Sequence, residues 1–276
     1  MTSVSSRLHA HRGFTLAELA IVLLIVGLLL AGLLTPLTTQ VEIKRISDTQ
    51  KILEDAKEAL LGFAAANGRL PCPASSASNI GLESFCTTAT GGCTATTTYQ
   101  SHGRCSNPFD GLLPAVSLGF GPTDNQGYAL DGWAITPSNR LRYAVSNTAL
   151  DVLSPPSLLT SQNGLKTAGI SAVAGKSFLY VCSVTPGAPP ASNCVPATAT
   201  LTSTAPAIVY SVGGNAAQGG ISADEKANPN PNGGDVDPVF VSHTRNSVAG
   251  SEFDDVVTWL SMNTLISRMV AAGSLP

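Results

Sequence analysis

From Leu19 to Val41 the chain carries no charged residue, and Leu, Ile, Val and Ala fill most positions. A helix needs about 20 predominantly apolar residues to cross the hydrocarbon core of a bilayer. Residues 14 to about 37 are therefore read as a transmembrane helix. Pro36 falls inside it and is expected to bend it, since proline lacks an N–H and crowds the preceding turn. Past Thr39 the pattern changes. Ile46, Thr49, Leu53, Ala56, Leu60 and Phe63 recur at steps of three and four and share one helix face. Lys44, Arg45, Asp48, Lys51, Asp55 and Glu58 lie mostly on the others. Asn67-Gly68 is a helix stop. The spacing predicts one helix over 14–66, its second half packed on a globular head at 67–276.

Within the head, short β-like runs appear at 140–145 (R-L-R-Y-A-V), 177–184 (S-F-L-Y-V-C-S-V) and 207–212 (A-I-V-Y-S-V). Residues 72–105 are rich in Thr, Ser and Gly and read as a stapled loop. Residues 213–236 have almost no bulky side chains and read as another loop. From Phe253 to Ala271, the positions of Val256, Leu260, Met262, Ile266, Met269 and Val270 predict a helix, or a strand followed by one. The fold class is α+β: a long N-terminal helix on a small antiparallel sheet with long, disulfide-closed loops.

Composition narrows the setting. Only 12% of the 276 residues are charged and the net charge is −3, which gives no electrostatic footprint for nucleic acid. Six cysteines, at 72, 86, 93, 105, 182 and 194, all follow the apolar segment, and an even set there points to an oxidising compartment and up to three disulfides. Cys182 and Cys194 are close enough in sequence to form a local staple, with Cys72, Cys86, Cys93 and Cys105 pairing among themselves. No C-x-x-C pair favours zinc. No nucleophile elbow, phosphate-binding loop, dinucleotide fingerprint or H-E-x-x-H motif is present, so the chain is not read as an enzyme.

One carboxylate breaks the logic of the apolar segment. Glu18 stands at its mouth, just after Gly13-Phe14 and a leader carrying Arg7 and Arg12. A carboxylate at the edge of lipid is costly unless paired or enclosed by protein, which makes it a functional-site candidate. An ordinary secretory signal explains the basic leader but not Glu18. The arrangement R-G-F-T-L-A-E resembles the N-terminal signal of type IV pilins and type II secretion pseudopilins. That resemblance implies a leader over 1–13, cleavage by a prepilin peptidase between Gly13 and Phe14, N-methylation of Phe14, and a role for Glu18 in filament assembly.

Three fragments of the head extend the likeness. Asn67-Gly68-Arg69-Leu70-Pro71 resembles the segment that follows the long helix in pseudopilins. Asp131-Gly132-Trp133-Ala134 with Leu141-Arg142-Tyr143 is similar to their D-P-W-G stretch, departing from it at Gly132 and Ala134. Tyr210 to Asn215, with Phe253 to Trp259, resembles the pair of segments that wraps a calcium ion. The resemblance implies Ca²⁺ ligands at Val212 (carbonyl), Asn215, Asp254 and Asp255, in keeping with the all-oxygen coordination calcium takes. Asn215 stands where the family tends to have Asp, and the loop between the two segments is much longer here. Alternatively, Asp254-Asp255 caps the C-terminal helix. Asp224, Asp235 and Asp237 are either solvated charges or further ligands.

The expected function is that of a structural filament subunit, a minor or specialised pilin or pseudopilin. It would be held in the bacterial inner membrane with a periplasmic head and would end in a surface filament or a periplasmic pseudopilus. The implied partners are other pilin subunits, the prepilin peptidase, an inner-membrane assembly platform with its ATPase, and lipid before assembly. An adhesin or binding protein at a filament tip is the alternative.

Overall fold

The computed structural model describes residues 15–78, 80–147, 149–151, 154–187, 191–228 and 237–275; side chains are described for all of these except 30–38, 149–151 and 154–156. The chain divides into two compact units, Met1–Lys44 and Arg45–Pro276. Helix α1 runs over Leu16–Asn67, in line with the predicted span. Pro36 lies within α1, which continues through it.

In the second unit, α1 buries Thr49, Leu53, Ala56, Leu60, Leu61 and Ala64, the face that the three-and-four spacing selects. The helix ends at Gly68, whose φ of 67° closes the last turn, its N–H donating to the Ala64 carbonyl at 2.9 Å. Past that stop come the hairpin β1 (Phe85–Cys86) and β2 (Ala95–Thr96), then β3 (Gly111–Leu112), the single turn α2 (Ala115–Leu118), and β4 (Arg142–Val145). Next are β5 (Ala149–Asp151), β6 (Ser154–Ser157), α3 (Gly164–Ala168), β7 (Leu179–Cys182), β8 (Thr200–Ala205) and β9 (Ala207–Ser211). The chain closes with α4 (Ala223–Ala227), β10 (Val239–Val241), β11 (Val256–Trp259) and α5 (Met262–Ala271).

The central sheet is antiparallel in the order β11-β9-β4-β3, with Tyr143 opposite Val209 and Tyr210 opposite Val257. Successive side chains of a strand point to opposite faces, and here both faces are covered. Tyr143, Val145, Ala207 and Val209 share a cluster with Leu53, Ala56, Leu60 and Ala64 of α1 and Leu265 and Met269 of α5. Ala144, Ile208 and Tyr210 turn the other way, against Leu179 and Val181 of β7 and Phe240 of β10. Those last two strands belong to a second sheet, ordered β10-β7-β8, in which β10 runs parallel to β7. Burial on two sides explains why β9 reads as A-I-V-Y-S rather than as an apolar/polar alternation.

The disulfides are Cys72–Cys105, Cys86–Cys93 and Cys182–Cys194, so the expected local staple forms and the other four cysteines pair among themselves. Beside the first of them Arg69 is buried. Its guanidinium grips both oxygens of Glu83 at 2.6 and 2.9 Å and lies against the rings of Phe63, Phe85 and Tyr99. Glu83 also accepts the Cys72 N–H at 2.8 Å. The R in N-G-R-L-P thus joins the helix end to the disulfide-closed segment.

Three local expectations change. Residues 72–105 contain the β1–β2 hairpin as well as loop. Residues 213–236 are not only loop, because Ser222 and Glu225 form a reciprocal capping box that starts α4. Asp254-Asp255 does not cap the C-terminal helix: both residues precede β11, and the N-cap of α5 is Ser261.

Candidate functional site

The N-terminal motif is described from Thr15 onward; Gly13 and Phe14 lie outside the described residues. Glu18 accepts the Thr15 N–H and the Thr15 hydroxyl, both at 2.9 Å, and its own N–H donates to that hydroxyl at 3.3 Å. T-L-A-E is thus a capping box that satisfies donors at the start of α1. Beyond it, Leu19, Ile21, Leu23, Leu24, Leu28 and Leu29 are exposed, an apolar surface that needs lipid or other chains to cover it. Among the described residues, no helix is long and apolar enough to cross a membrane. The uncharged sequence, however, runs on through 30–38, whose side chains are not described.

The second candidate is built where three segments of the head meet. The chain leaves β9 through Val212-Gly213-Gly214-Asn215, returns in α4 with Glu225, and arrives again at Phe253-Asp254-Asp255 before β11. Gly213 is required: its φ is 67°, and a Cβ there would stand 2.1 Å from Asp254 Oδ1. Asp254 Oδ2 accepts the Gly214 N–H at 2.8 Å, pinning one loop to the other. The first loop is also anchored from beneath. Buried Asp131 accepts from Ser211 Oγ and Asn139 Nδ2, and Asn139 donates in turn to the Gly213 carbonyl at 2.7 Å. Next to Asp131, the Gly132 N–H donates to Thr49 of α1 at 2.9 Å, so the D-G-W-A turn ties this corner to the long helix.

Glu225 organises the corner. Its Oε1 accepts Asn215 Nδ2 at 2.9 Å and the Asp254 N–H at 3.0 Å, while Oε2 accepts the Ile221 N–H at 2.7 Å. One carboxylate oxygen from each of Glu225, Asp254 and Asp255 lies within 4.8 Å of the others. Charges so close repel one another. Burial first, with the Glu225 charge adding to it against the Gly214 N–H and Arg245, pushes Asp254 up to about 6. Asp255 is raised well above the ordinary carboxylate range by burial, although Asn228 Nδ2 donates to it at 2.7 Å.

Such a triad could hold a metal ion, and the donor chemistry fits a hard cation because every group offered is oxygen. Two buried oxygens in the corner, Asn215 Oδ1 and Asp254 Oδ1, make no hydrogen bond, and orphaned acceptors of that kind call for a partner. Of the residues singled out from sequence, Asn215, Asp254 and Asp255 meet here. Val212 heads the same loop with its side chain in the core beneath the sheet. Glu225 escaped the sequence reading, yet S-A-D-E at 222–225 is a capping-box signal. Asp224 and Asp237 are engaged elsewhere: Asp224 accepts the Thr185 N–H and faces His243, and Asp237 accepts the N–H groups of Ala191 and Val239. Asp235 lies outside the described residues.

Comparison with known proteins bears on the N-terminus alone. Residues 8–34 match the family model of the prokaryotic N-terminal methylation motif. No curated protein and no solved structure matches the chain. The matched stretch takes in Gly13, Phe14, Glu18 and the first part of the apolar run. The chain thus carries the N-terminal methylation motif that is the signature of type IV pilins and pseudopilins.

Proposed function

We propose that this protein is a pilin-like structural subunit of a type IV pilus or type II secretion pseudopilus. A prepilin peptidase removes residues 1–13, Phe14 becomes the methylated N-terminus, and the apolar half of the helix anchors the subunit in the inner membrane with its head in the periplasm. An assembly platform and its ATPase then draw it from lipid into a filament of related subunits. The methylation motif at 8–34, with Glu18 as the last charge before Glu42, is the observation that carries this reading. Helices that exchange lipid for one another gain little from the hydrophobic effect, so polar contacts steer their packing. Glu18 supplies such a contact to the Phe14 amine of a neighbouring subunit, exchanging its local bonds to Thr15 for an intersubunit pair. A head of about 200 residues is large for the repeating unit of a thin filament, which favours a minor or specialised subunit.

The corner formed by Asn215, Glu225, Asp254 and Asp255 is proposed as a calcium site, with the Val212 carbonyl as a further ligand. Bound there, the ion would supply positive charge that offsets the repulsion among the carboxylates, and would join the loop after β9 to the strand that closes the sheet.

The test of the filament reading is Glu18→Ala. Removing a charge favours membrane insertion, so the variant should reach the membrane and be processed normally while its incorporation into sheared filaments falls severely. Wild-type levels of the variant in the filament fraction would reject the pairing of Glu18 with the neighbouring amine.

A further inference from the structure

On the head, the edge of the central sheet at β3–β4 and the turns at 124–126 and 136–138 border two adjoining, open-sided hollows of about 440 and 370 Å³ that share Pro137 and Arg140. Their size is that of small-ligand sites, roughly 300–1,000 Å³. The walls hold two guanidinium–carboxylate pairs. Arg140 lies 2.7 Å from Asp124 in the first hollow, and Arg142 lies 3.0 Å from Asp110 in the second. We propose that this groove binds a neutral, hydroxyl-rich ligand of the saccharide class.

The charge balance selects the ligand. Each arginine is matched by an aspartate, so a phosphate or carboxylate ligand meets a guanidinium already neutralised and a negative group beside it. A cation meets the converse. An apolar ligand would strip water from the partly exposed Arg142–Asp110 pair, a cost that the small apolar surface of Pro137 and Leu112 does not offset. A hydroxyl, by contrast, both donates and accepts. A pair of neighbouring hydroxyls spanning the Arg142–Asp110 pair, whose side chains are 27% and 29% exposed, donates to the carboxylate and accepts from the guanidinium, removing no charge from its partner. The buried Arg140–Asp124 pair shapes the adjoining wall. Hydrogen bonds to charged groups are roughly twice as strong as neutral ones.

The pairs are fixed before a ligand arrives. Asp124 Oδ1 is held by the N–H groups of Gln126 and Tyr128 at 2.9 and 3.0 Å. The Arg140 guanidinium lies 4.3 Å above the Tyr128 ring and also donates to Gln126 Oε1. Preorganisation of this kind lowers the ordering cost of binding. In the second hollow, Arg142 donates to Asp110 Oδ1 at 3.0 Å, and burial raises the Asp110 carboxyl above its ordinary range despite that contact. Ser76 and Ser138 border it with further hydroxyls.

The proposal is independent of how the N-terminus is processed. The full chain in mild detergent is titrated with maltotriose, cellotriose and chitotriose, with trigalacturonate and inorganic phosphate as charged controls, by saturation-transfer NMR and calorimetry. At least one neutral trisaccharide should bind saturably. Asp110→Ala and, separately, Gln126→Ala should each weaken that binding about tenfold or more, the equivalent of one charge-assisted hydrogen bond. Gln126 lies on a surface turn, so its variant keeps the test open if Asp110→Ala melts early. Binding of none of the three, binding unchanged in both variants, or tighter binding of trigalacturonate or phosphate would each overturn the proposal.

Discussion

Asp254→Asn separates a metal site from a corner held by hydrogen bonds alone, because the two readings predict opposite signs. In the metal-free protein Asp254 titrates at about 6 instead of 3.8. A raised folded-state value means that the group's contribution to stability is fully present below the unfolded value, near pH 4, and is lost as pH rises through about 6. At 1.36 kcal/mol per pH unit the interval corresponds to roughly 3 kcal/mol, and solvent screening of a half-buried carboxyl reduces it to about 1–2 kcal/mol. At pH 7.5 with chelator, Asn removes that cost while its amide oxygen still accepts from Gly214. The variant should then melt above the wild type by about 2–8 °C, at roughly 2–4 °C per kcal/mol for a domain of this size. If the corner binds calcium as proposed, the ion at a hundredfold excess over Kd should stabilise the wild type by about 2.7 kcal/mol, and the variant should lose most of that gain. The order of melting temperatures therefore inverts between chelator and calcium, and the calcium gain itself shrinks below pH 6, where protons compete for the same oxygens. A variant that melts lower than wild type in chelator, or that gains as much from calcium, would refute the reasoning.

Two further predictions concern what holds the head together. Replacing Cys72 and Cys105 by Ser opens a loop of sequence separation 33 and should cost about 3–4 kcal/mol in denaturant unfolding; a midpoint unchanged from wild type would contradict the staple's role. Arg69→Ala should cost about 3–5 kcal/mol, because it leaves Glu83 as an unpaired buried charge. Arg69→Ala combined with Glu83→Gln should recover part of that loss, and no recovery in the double variant would show that the pairing is not what Arg69 contributes.

Periodicity carried much of the fold. The stripe from Thr49 to Leu60 names the buried face of α1, and the runs around Tyr143 and Tyr210 are the two central strands, because burial on both faces leaves a β-rich signal that needs no partner to be recognised. What escaped depends on contacts distant in the chain. Strand β10 is only V-F-V, and it becomes a strand by lying parallel to β7, a pairing no local pattern announces. Strand β8, T-L-T-S-T-A, is mostly exposed or half-buried and was not among the β-like runs. In the acidic corner, Asp254 and Asn215 were legible through their neighbours, Trp259 on one side and Tyr210-Ser211 on the other. Glu225 was not, since its capping box lies in a Gly- and Asn-rich stretch where only the fold reveals that the carboxylate reaches Asn215 and the Asp254 N–H. The T-L-A-E box around Glu18 was hidden for a different reason: the lipid-edge position offered a stronger explanation than the local hydrogen bonds that also use it.

Intact-mass and peptide mass spectrometry of the protein recovered from its native membrane or filament fraction tests the central claim most directly. The account predicts a mature chain that begins at Phe14, carries one methyl group on its amino nitrogen, and keeps its leader when Gly13 is replaced by a bulky residue. A mature chain that begins beyond Thr35, or one that retains residues 1–13 in cells with an active prepilin peptidase, would contradict it.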